Sequence, residues 1–368
     1  MQRKKILSIF GTRPEAIKMA PVIKELEKRS DEFESVVVVT AQQREMLDQV
    51  LTVFNIKPDY DLNIMQPNQT LAQLTSRVLM KLDPILEVEK PDVVLVHGDT
   101  TTSFVASLAA FYHQIKIGHV EAGLRTWDKY APYPEEMNRQ MTDCLSDIYF
   151  APTVLSKANL LQANVPEEKI FVTGNTVVDA LQQTTKHGFS HEITKKWDPD
   201  SKKVLLTCHR RENFGKPMEQ VFKSVIKMVE TYSDLEVIYP VHPNPNVKKQ
   251  AEEMFKNQKR IHLIDPLDVI DFHNCMSECY FIMSDSGGVQ EEAPSLGKPV
   301  LVLREVTERP EGLETGILKL VGTCEKTILN AVEKLMMDSE YYQSLTKQNN
   351  PYGDGYASIK IVNLLNEQ

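Results

Sequence analysis

A chain of 368 residues, 42% of them apolar and 25% charged, has material for two cores of ordinary size and lacks the long polar tracts of a disordered protein. Its net charge of −9 leaves no basic field to attract nucleic acid or anionic lipid, so an anionic ligand has to be held by local donors. Five cysteines without a Cys-x-x-Cys pair make neither a disulfide framework nor a recognisable zinc site, and the absence of a signal-peptide pattern and of any run near about 18 apolar residues predicts a cytoplasmic protein without a membrane span.

Strand-like apolar runs alternate with helical patterns from end to end, the signature of α/β, doubly wound parallel sheets. The first, Lys5 to Phe10, ends at Gly11-Thr-Arg-Pro-Glu15. Gly11 permits the turn, Pro14 suits an early helical position, and Arg13 stands at the helix mouth, where it can pair with an acidic ligand or brace a neighbouring loop. A strand at Ser35 to Thr40 follows. Strands at Val93 to His97 and Lys116 to His119 run into His97-Gly-Asp-Thr100 and His119-Val-Glu-Ala-Gly-Leu-Arg125, so Asp99 and Glu121 come at matching positions after adjacent strands. The loop Tyr130-Ala-Pro-Tyr-Pro134 then leads to Glu135 at a helix start. Singly, each of these carboxylates reads as a helix cap or a surface acid. Three of them after strand ends in one domain point to acid–base chemistry.

A strand at Ile148 to Ala151 closes this series, and the glycine turn in Val172-Thr-Gly-Asn-Thr-Val177 marks the expected boundary, after residue 174. A second series runs Val204 to Thr207, Glu236 to Tyr239, Ile261 to Ile264, Tyr280 to Ser284 and Pro299 to Leu303. His209, Arg210 and Arg211 stand past its first strand, His242 past the second, and Phe272, a ring on which a base can stack, past the third. An isolated His209 would read as structural; with arginines beside it at a strand end it reads as an anion-facing or catalytic group. The fourth strand meets Asp285-Ser-Gly-Gly288. Ser286, Gly287 and Gly288 there allow close backbone approach, and the helix opening behind them offers unpaired N–H groups and partial positive charge to a phosphate. Glu291 and Glu292, one turn further, suit a ribose diol, although a capped βα turn with a solvated acid pair has the same local pattern. Arg309, past the fifth strand, is a further phosphate partner. His273, Cys275 and Cys279 fall on an apolar helix face and read as buried groups rather than metal ligands. No Gly-x-Gly-x-x-Gly follows a strand, and neither a P-loop nor a Gly-x-Ser-x-Gly elbow is present, which disfavours nicotinamide or flavin chemistry, P-loop ATP hydrolysis and that class of serine hydrolase.

The segments Phe10-Gly-Thr-Arg-Pro-Glu-Ala-Ile-Lys-Met-Ala-Pro21, Val96-His-Gly-Asp-Thr-Thr-Thr102, Gly118-His-Val-Glu-Ala-Gly-Leu-Arg125, Pro134-Glu-Glu136, His209-Arg-Arg-Glu212, Asp285-Ser-Gly-Gly-Val-Gln-Glu-Glu-Ala-Pro-Ser-Leu-Gly297, Thr307-Glu-Arg-Pro-Glu311 and Asn350-Pro-Tyr-Gly-Asp-Gly355 occur in this order along the whole chain. Together they resemble the bacterial non-hydrolysing UDP-N-acetylglucosamine 2-epimerases. The resemblance implies the GT-B architecture: two Rossmann-like doubly wound domains facing a cleft, here 1–174, joined by the returning C-terminal helix 356–368, and 175–355. It implies reversible C2 epimerisation between UDP-N-acetylglucosamine and UDP-N-acetylmannosamine, by elimination of UDP through 2-acetamidoglucal, for a cell-surface polysaccharide. The other activities compatible with such a chain are a GT-B glycosyltransferase and a hydrolysing epimerase.

By position the family's catalytic groups fall on Asp99, Glu121, Glu135 and His209, and its substrate contacts on Arg13, Lys18, Phe272, Ser286, Gly287, Gly288, Glu292 and Arg309. The resemblance further implies no metal, no bound cofactor and a homodimer. In some members a second UDP-N-acetylglucosamine acts as activator, and its candidate contacts here are Gln42, Gln43, Arg211 and His242. The chain departs from the regulated members at Gln43, Glu45 and Asn68, and Cys208 replaces a smaller residue before His209. Clustered carboxylates raise one another's proton affinity, which is expected to keep one of the three acids protonated near neutrality.

Overall fold

The computed structural model describes residues 3–42, 44–66, 69–185, 192, 197–307, 309–348 and 350–367, without the side chains of Glu45 and Arg211. The chain divides into two compact units, Met1–Ala180 with Tyr352–Gln368, and Leu181–Pro351. Residues 175–180 fall with the first unit for a visible reason: the Asp179 carboxylate accepts from Ser358 N at 2.8 Å and Ser358 Oγ at 2.5 Å, and Asn175 N donates to Tyr352 O at 2.7 Å. The segment after 174 is thereby tied to the returning chain.

The first unit is a seven-stranded sheet of order β3-β2-β1-β4-β5-β6-β7, all neighbours parallel. Its strands are β1 (Lys4–Phe10), β2 (Phe33–Val39), β3 (Tyr60–Asp61), β4 (Val93–His97), β5 (Lys116–Val120), β6 (Ile148–Ala151) and β7 (Ile170–Val172). Runs such as Val36 to Val39 and Val93 to Val96 are buried without alternation, as central parallel strands covered on both faces must be. On one face Leu7, Ile9, Val94 and Val96 pack with Leu74, Val78 and Leu82 of α3 (Leu71–Glu89) and with Val105 and Ala109 of α4 (Thr101–Tyr112). Helix α1 (Arg13–Lys28) starts behind β1 in a capping box, in which Glu15 Oε2 accepts from Thr12 N at 2.7 Å and Gly11 N at 3.0 Å. After α2 (Arg44–Val53), α3 and α4 come α5 (Glu135–Leu145), α6 (Val154–Gln162) and α7 (Thr176–Thr184).

The second unit repeats the winding in a six-stranded sheet of order β10-β9-β8-β11-β12-β13, formed by β8 (Lys202–Thr207), β9 (Leu235–Pro240), β10 (Ile261–Ile264), β11 (Phe281–Ser284), β12 (Val300–Val302) and β13 (Leu318–Leu320). Its helices are α8 (Lys216–Thr231), α9 (Pro245–Phe255), α10 (Val269–Glu278), α11 (Gly287–Ser295), α12 (Pro310–Glu314), α13 (Glu325–Met337) and α14 (Ser339–Thr346); α15 (Ala357–Glu367) then packs on α1 of the first unit. In both sheets the strand order reverses beside the first strand, between β1 and β4 and between β8 and β11. Ligands of open parallel sheets bind past the strand ends at such points. His273, Cys275 and Cys279 are at most 1% exposed. Among the described residues no helix is long and apolar enough to cross a membrane.

Candidate active site

In the first unit the register of β4 on β5 pairs His97 with Val120, and Gly98 N continues it by donating to Val120 O at 2.9 Å. Gly98 therefore stands beside Glu121, and Asp99 follows one residue further. Glu121 has φ +66°, a left-handed conformation rare for a side chain of this kind, and such strain is found where the surrounding structure fixes a functional group. Its carboxylate pairs with Lys18 Nζ of α1, accepts from Asn175 Nδ2 at 3.1 Å, and lies 3.4 Å from His97 Nε2. Burial pushes this carboxyl group's pKa up, but Lys18 and His97 outweigh it and hold it well below the usual carboxylate range. The expectation that clustering raises proton affinity fails at Glu121, because cations rather than other acids are its nearest neighbours.

Asp99 is held differently. Arg139, on α5, pairs through Nη2 with Asp99 Oδ2 and through Nη1 with Glu136 Oε2 at 2.9 Å, while Asn138 Nδ2 donates to Asp99 O at 3.0 Å. Glu136 is fully buried and also accepts from the backbone N–H groups of Thr126 and Trp127, both at 3.0 Å, so it anchors the loop that leads into α5. Glu135 heads this same helix and is half-buried. Beneath the strand ends, buried His119 reaches Asp143 Oδ1 from Nδ1 at 2.6 Å and Gly98 O from Nε2 at 2.8 Å, and Arg125 pairs with Asp143 Oδ2 at 2.6 Å. Burial favours the neutral acid at Asp143, but His119 and Arg125 reverse that and lower its pKa. The Gly98–Asp99 turn is thus pinned from below through His119, which Asp143 and Arg125 hold in place. Arg13 opens α1 and is half-buried, and Gln42 Oε1 accepts from Thr102 Oγ1 at 3.3 Å.

In the second unit Asp285, fully buried, organises the turn after β8. Its Oδ2 accepts from His209 N at 2.8 Å, Arg210 N at 2.9 Å and Asn213 Nδ2 at 3.0 Å, and its Oδ1 faces His209 Nδ1 at 3.4 Å. The His209 ring stacks on His242, with centroids 5.3 Å apart and planes 8° apart. Burial, and then the neighbouring His209, lower the His242 pKa.

Ser286 is the N-cap of α11, and Gly287 and Gly288 are in its first turn, whose N–H groups lack acceptors within the helix. The Arg309 guanidinium lies over Gly287, so close that a Cβ there would stand 2.8 Å from Nη1, and Arg309 Nε donates to Glu291 Oε1 at 2.8 Å. Glu292, one turn along, has His273 Nε2 at 3.7 Å, and His273 in turn meets Thr184 Oγ1 at 2.7 Å. Phe272 sits on α10, half-buried against the core that includes Val289.

The structure therefore joins Lys18 to Glu121 in the first unit, sets Asp99 beside them in the turn after β4, and ties Asp99 through Arg139 to α5, the helix that Glu135 opens. In the second it groups His209 with His242, and Ser286, Gly287, Gly288 and Glu292 with Arg309. Gln43 and Asn68 lie outside the described residues, as do the side chains of Glu45 and Arg211. Reading by sequence missed Asp285, Arg139, His97 and Asn175 as partners of the predicted groups. Only Asp285 carried a local signal, an aspartate directly after an apolar strand and two residues before the paired glycines.

Two doubly wound units, one ending in ion-paired carboxylates and the other in a glycine-turn helix start with an arginine across it, define an α/β enzyme equipped for a phosphorylated ligand. A family profile described as UDP-N-acetylglucosamine 2-epimerase matches residues 24–366. The UDP-N-acetylglucosamine 2-epimerase of Bacillus subtilis is 57% identical over 362 residues, covering 98% of this chain and 95% of that protein. Among solved structures, the Neisseria meningitidis UDP-GlcNAc 2-epimerase bound to UDP-GlcNAc superposes with a TM-score of 0.92 at 49% identity, covering 99% of this chain and 100% of its own. The Staphylococcus aureus MnaA–UDP complex gives 0.91 at 53% identity, covering 99% and 96%. The chain belongs to the UDP-N-acetylglucosamine 2-epimerase family, and its two Rossmann-like units are those of the GT-B class.

Proposed function

We propose that this protein interconverts UDP-N-acetylglucosamine and UDP-N-acetylmannosamine without net hydrolysis, by anti elimination of UDP and its re-addition, as a source of mannosamine units for a cell-surface polysaccharide. The C2 proton has no adjacent carbonyl to acidify it, so its removal has to be coupled to departure of the leaving group. A carboxylate takes the proton from C2, the C–H pair becomes the C1=C2 bond of 2-acetamidoglucal, and the C1–O pair leaves on the β-phosphate of UDP. Protonation of C2 from the opposite face, with return of the UDP oxygen to C1, gives the epimer. Asp99 and Glu135 exchange these protons. Glu121, held as a carboxylate by Lys18 and His97, accepts a hydrogen bond from the sugar or supports one of the two. The first turn of α11, with Arg309, Arg13 and His209, receives the charge on the departing diphosphate, Glu292 takes the ribose, and Phe272 stacks on the base.

One observation carries the reading: the strand-end carboxylates Asp99 and Glu121, which follow adjacent strands, each have a buried basic side chain against them, Arg139 and Lys18, and Lys18 holds Glu121 as an acceptor. Relatives solved with UDP-GlcNAc and with UDP support the ligand. A homodimer, and a second UDP-N-acetylglucosamine contacting Gln42, Gln43, Arg211 and His242 as activator, belong to the same proposal. Proton NMR of UDP-N-acetylglucosamine with the enzyme in deuterium oxide tests it. The expected time course shows two UDP-sugars approaching equilibrium with deuterium at C2 and no accumulation of free sugar. Accumulating UDP with free N-acetylmannosamine would instead make it a hydrolysing epimerase, and no reaction without an acceptor would make it a glycosyltransferase. Asp99→Asn, Glu135→Gln and His209→Asn are each expected to lose turnover and exchange.

A further inference from the structure

Among the described residues, the donors that reach Glu121 converge on one oxygen. Lys18 Nζ and Asn175 Nδ2 both donate to Oε2, with His97 Nε2 3.4 Å from the same atom, while Oε1 points toward Gly98, 3.9 Å from where a Cβ would stand there. Of the two donors, Asn175 is the one whose direction is set entirely by other contacts. Its Oδ1 accepts from Val177 N at 3.0 Å at the start of α7, and because a backbone N–H can only donate, the amide has one orientation, with Nδ2 toward Glu121. Its own backbone N–H donates to Tyr352 O at 2.7 Å, and the residue is 3% exposed. At the preceding Gly174, with φ +93°, a Cβ would stand 3.4 Å from both Gly353 Cα and Tyr352 O. Lys18, by contrast, ends in an ammonium that accepts any approach direction.

We propose that Asn175 is a positioning residue for the epimerase reaction: a preset donor that captures Glu121 Oε2 and so presents Oε1 to the sugar. The inference rests on the reading of Glu121 as a substrate-facing group. It explains why a strained carboxylate with a strong cationic partner also carries a neutral donor: the cation sets its charge, and the amide sets its angle. Misplacement of a reacting group by about 1 Å costs on the order of 10²-fold in rate, so a lost donor of this kind is visible in kcat.

The test compares Asn175→Asp and Asn175→Ser in the full-length enzyme. Both keep an oxygen that can accept from Val177 N–H; the Asp carboxylate has no donor for Glu121, and the Ser hydroxyl ends where the Asn Cγ stood, one bond short of the donor position. Both are expected to lower kcat by about 10- to 100-fold with KM within about threefold of wild type. Asn175→Asp also brings a second carboxylate against Glu121, whose other titratable neighbours are Lys18 from α1 and His97 from β4. Its acid limb in kcat is therefore expected to move to higher pH by about one unit, while Asn175→Ser leaves the limb in place. Wild-type kcat and an unmoved acid limb in both variants would reduce Asn175 to a helix cap and overturn the inference. Should Asn175→Asp lose its melting transition, Asn175→Ser decides alone on kcat. Glu121→Gln run alongside separates the two readings: if it keeps wild-type turnover, the role of Glu121 fails and this inference falls with it; if it is impaired while the Asn175 variants are not, only the inference falls.

Discussion

Replacing Asp285 by Asn isolates what a buried carboxylate does for His209. The carboxylate receives three donors on Oδ2, at 2.8, 2.9 and 3.0 Å, and presents Oδ1 to His209 Nδ1 at 3.4 Å. An asparagine of the same volume has one acceptor, and three converging donors decide where it goes. Its NH2 then faces the imidazole, so Nδ1 has to accept instead of donate and the ring proton moves to Nε2. An imidazolium, which needs Nδ1–H, is disfavoured, and with it the cation proposed to meet the departing diphosphate. Loss of a correctly protonated group of this kind costs about 10²- to 10⁴-fold in kcat. The fold is affected separately. Three charge-assisted bonds become neutral ones, each weaker by about 1 kcal/mol, so the second unit loses about 3 kcal/mol and its Tm falls by about 6–12 °C. The assay pairs NMR epimerisation rates with ¹⁵N shifts of the His209 ring and a melting curve. An inverted tautomer with kcat within threefold of wild type would refute the reasoning, since the charge on His209 would then be irrelevant to turnover.

At Lys18→Met, Glu121 keeps its burial and loses its strongest cationic partner. The native pairing holds the Glu121 pKa below its unfolded value, so its contribution to stability is present above about pH 4.5 and is lost as pH falls through the folded value. The variant is expected to be less stable by about 3–5 kcal/mol at pH 7, with the deficit narrowing by pH 4; urea unfolding at both pH values checks this, and a pH-independent deficit would contradict it. Gly287→Ala would put a methyl 2.8 Å from Arg309 Nη1 and 3.0 Å from Cζ, forcing the guanidinium off the start of α11. Titration calorimetry should give a UDP affinity weaker by about 10- to 100-fold with little change in Tm, whereas an unchanged Kd would remove Arg309 from the ligand site. His242 is held below its ordinary pKa first by burial and then by His209, so His209→Asn should raise its NMR titration midpoint part of the way back; no movement would leave burial as the whole cause.

The central strands were legible because each is an apolar run broken just beyond its end by glycine, proline or aspartate, as after Phe10, His97, Ala151, Ile264 and Ser284, and the observed β1, β4, β6, β10 and β11 lie within a residue of their expected limits. The strands that reading missed, β3, β7 and β13, are two or three residues long and lie at or next to sheet edges. A segment that short has no period to detect, and its strand state comes from the neighbour it pairs with. The same division runs through the site. Asp99, Glu121, His209 and the Ser286 to Gly288 turn announce themselves by their places after strands. Their partners do not: Arg139 is 40 residues from Asp99, Asn175 is 54 from Glu121, and Asp285 is 76 from His209.

Nor could sequence distinguish Glu135 from Glu136. The backbone brings Glu136 fully inside, against Arg139 and two loop amides, and leaves its neighbour half-buried at the helix start. Protonation state follows from these distant partners rather than from the acids themselves. A run of carboxylates in a sequence predicts mutual repulsion and one raised pKa, yet three-dimensional contact gives Glu121 a lysine and Asp99 an arginine. Under the proposed elimination the difference matters: Glu121 is held as an acceptor by the fold, so the proton returned to C2 comes from a group without such a fixed cation or from an acceptor that has just been loaded.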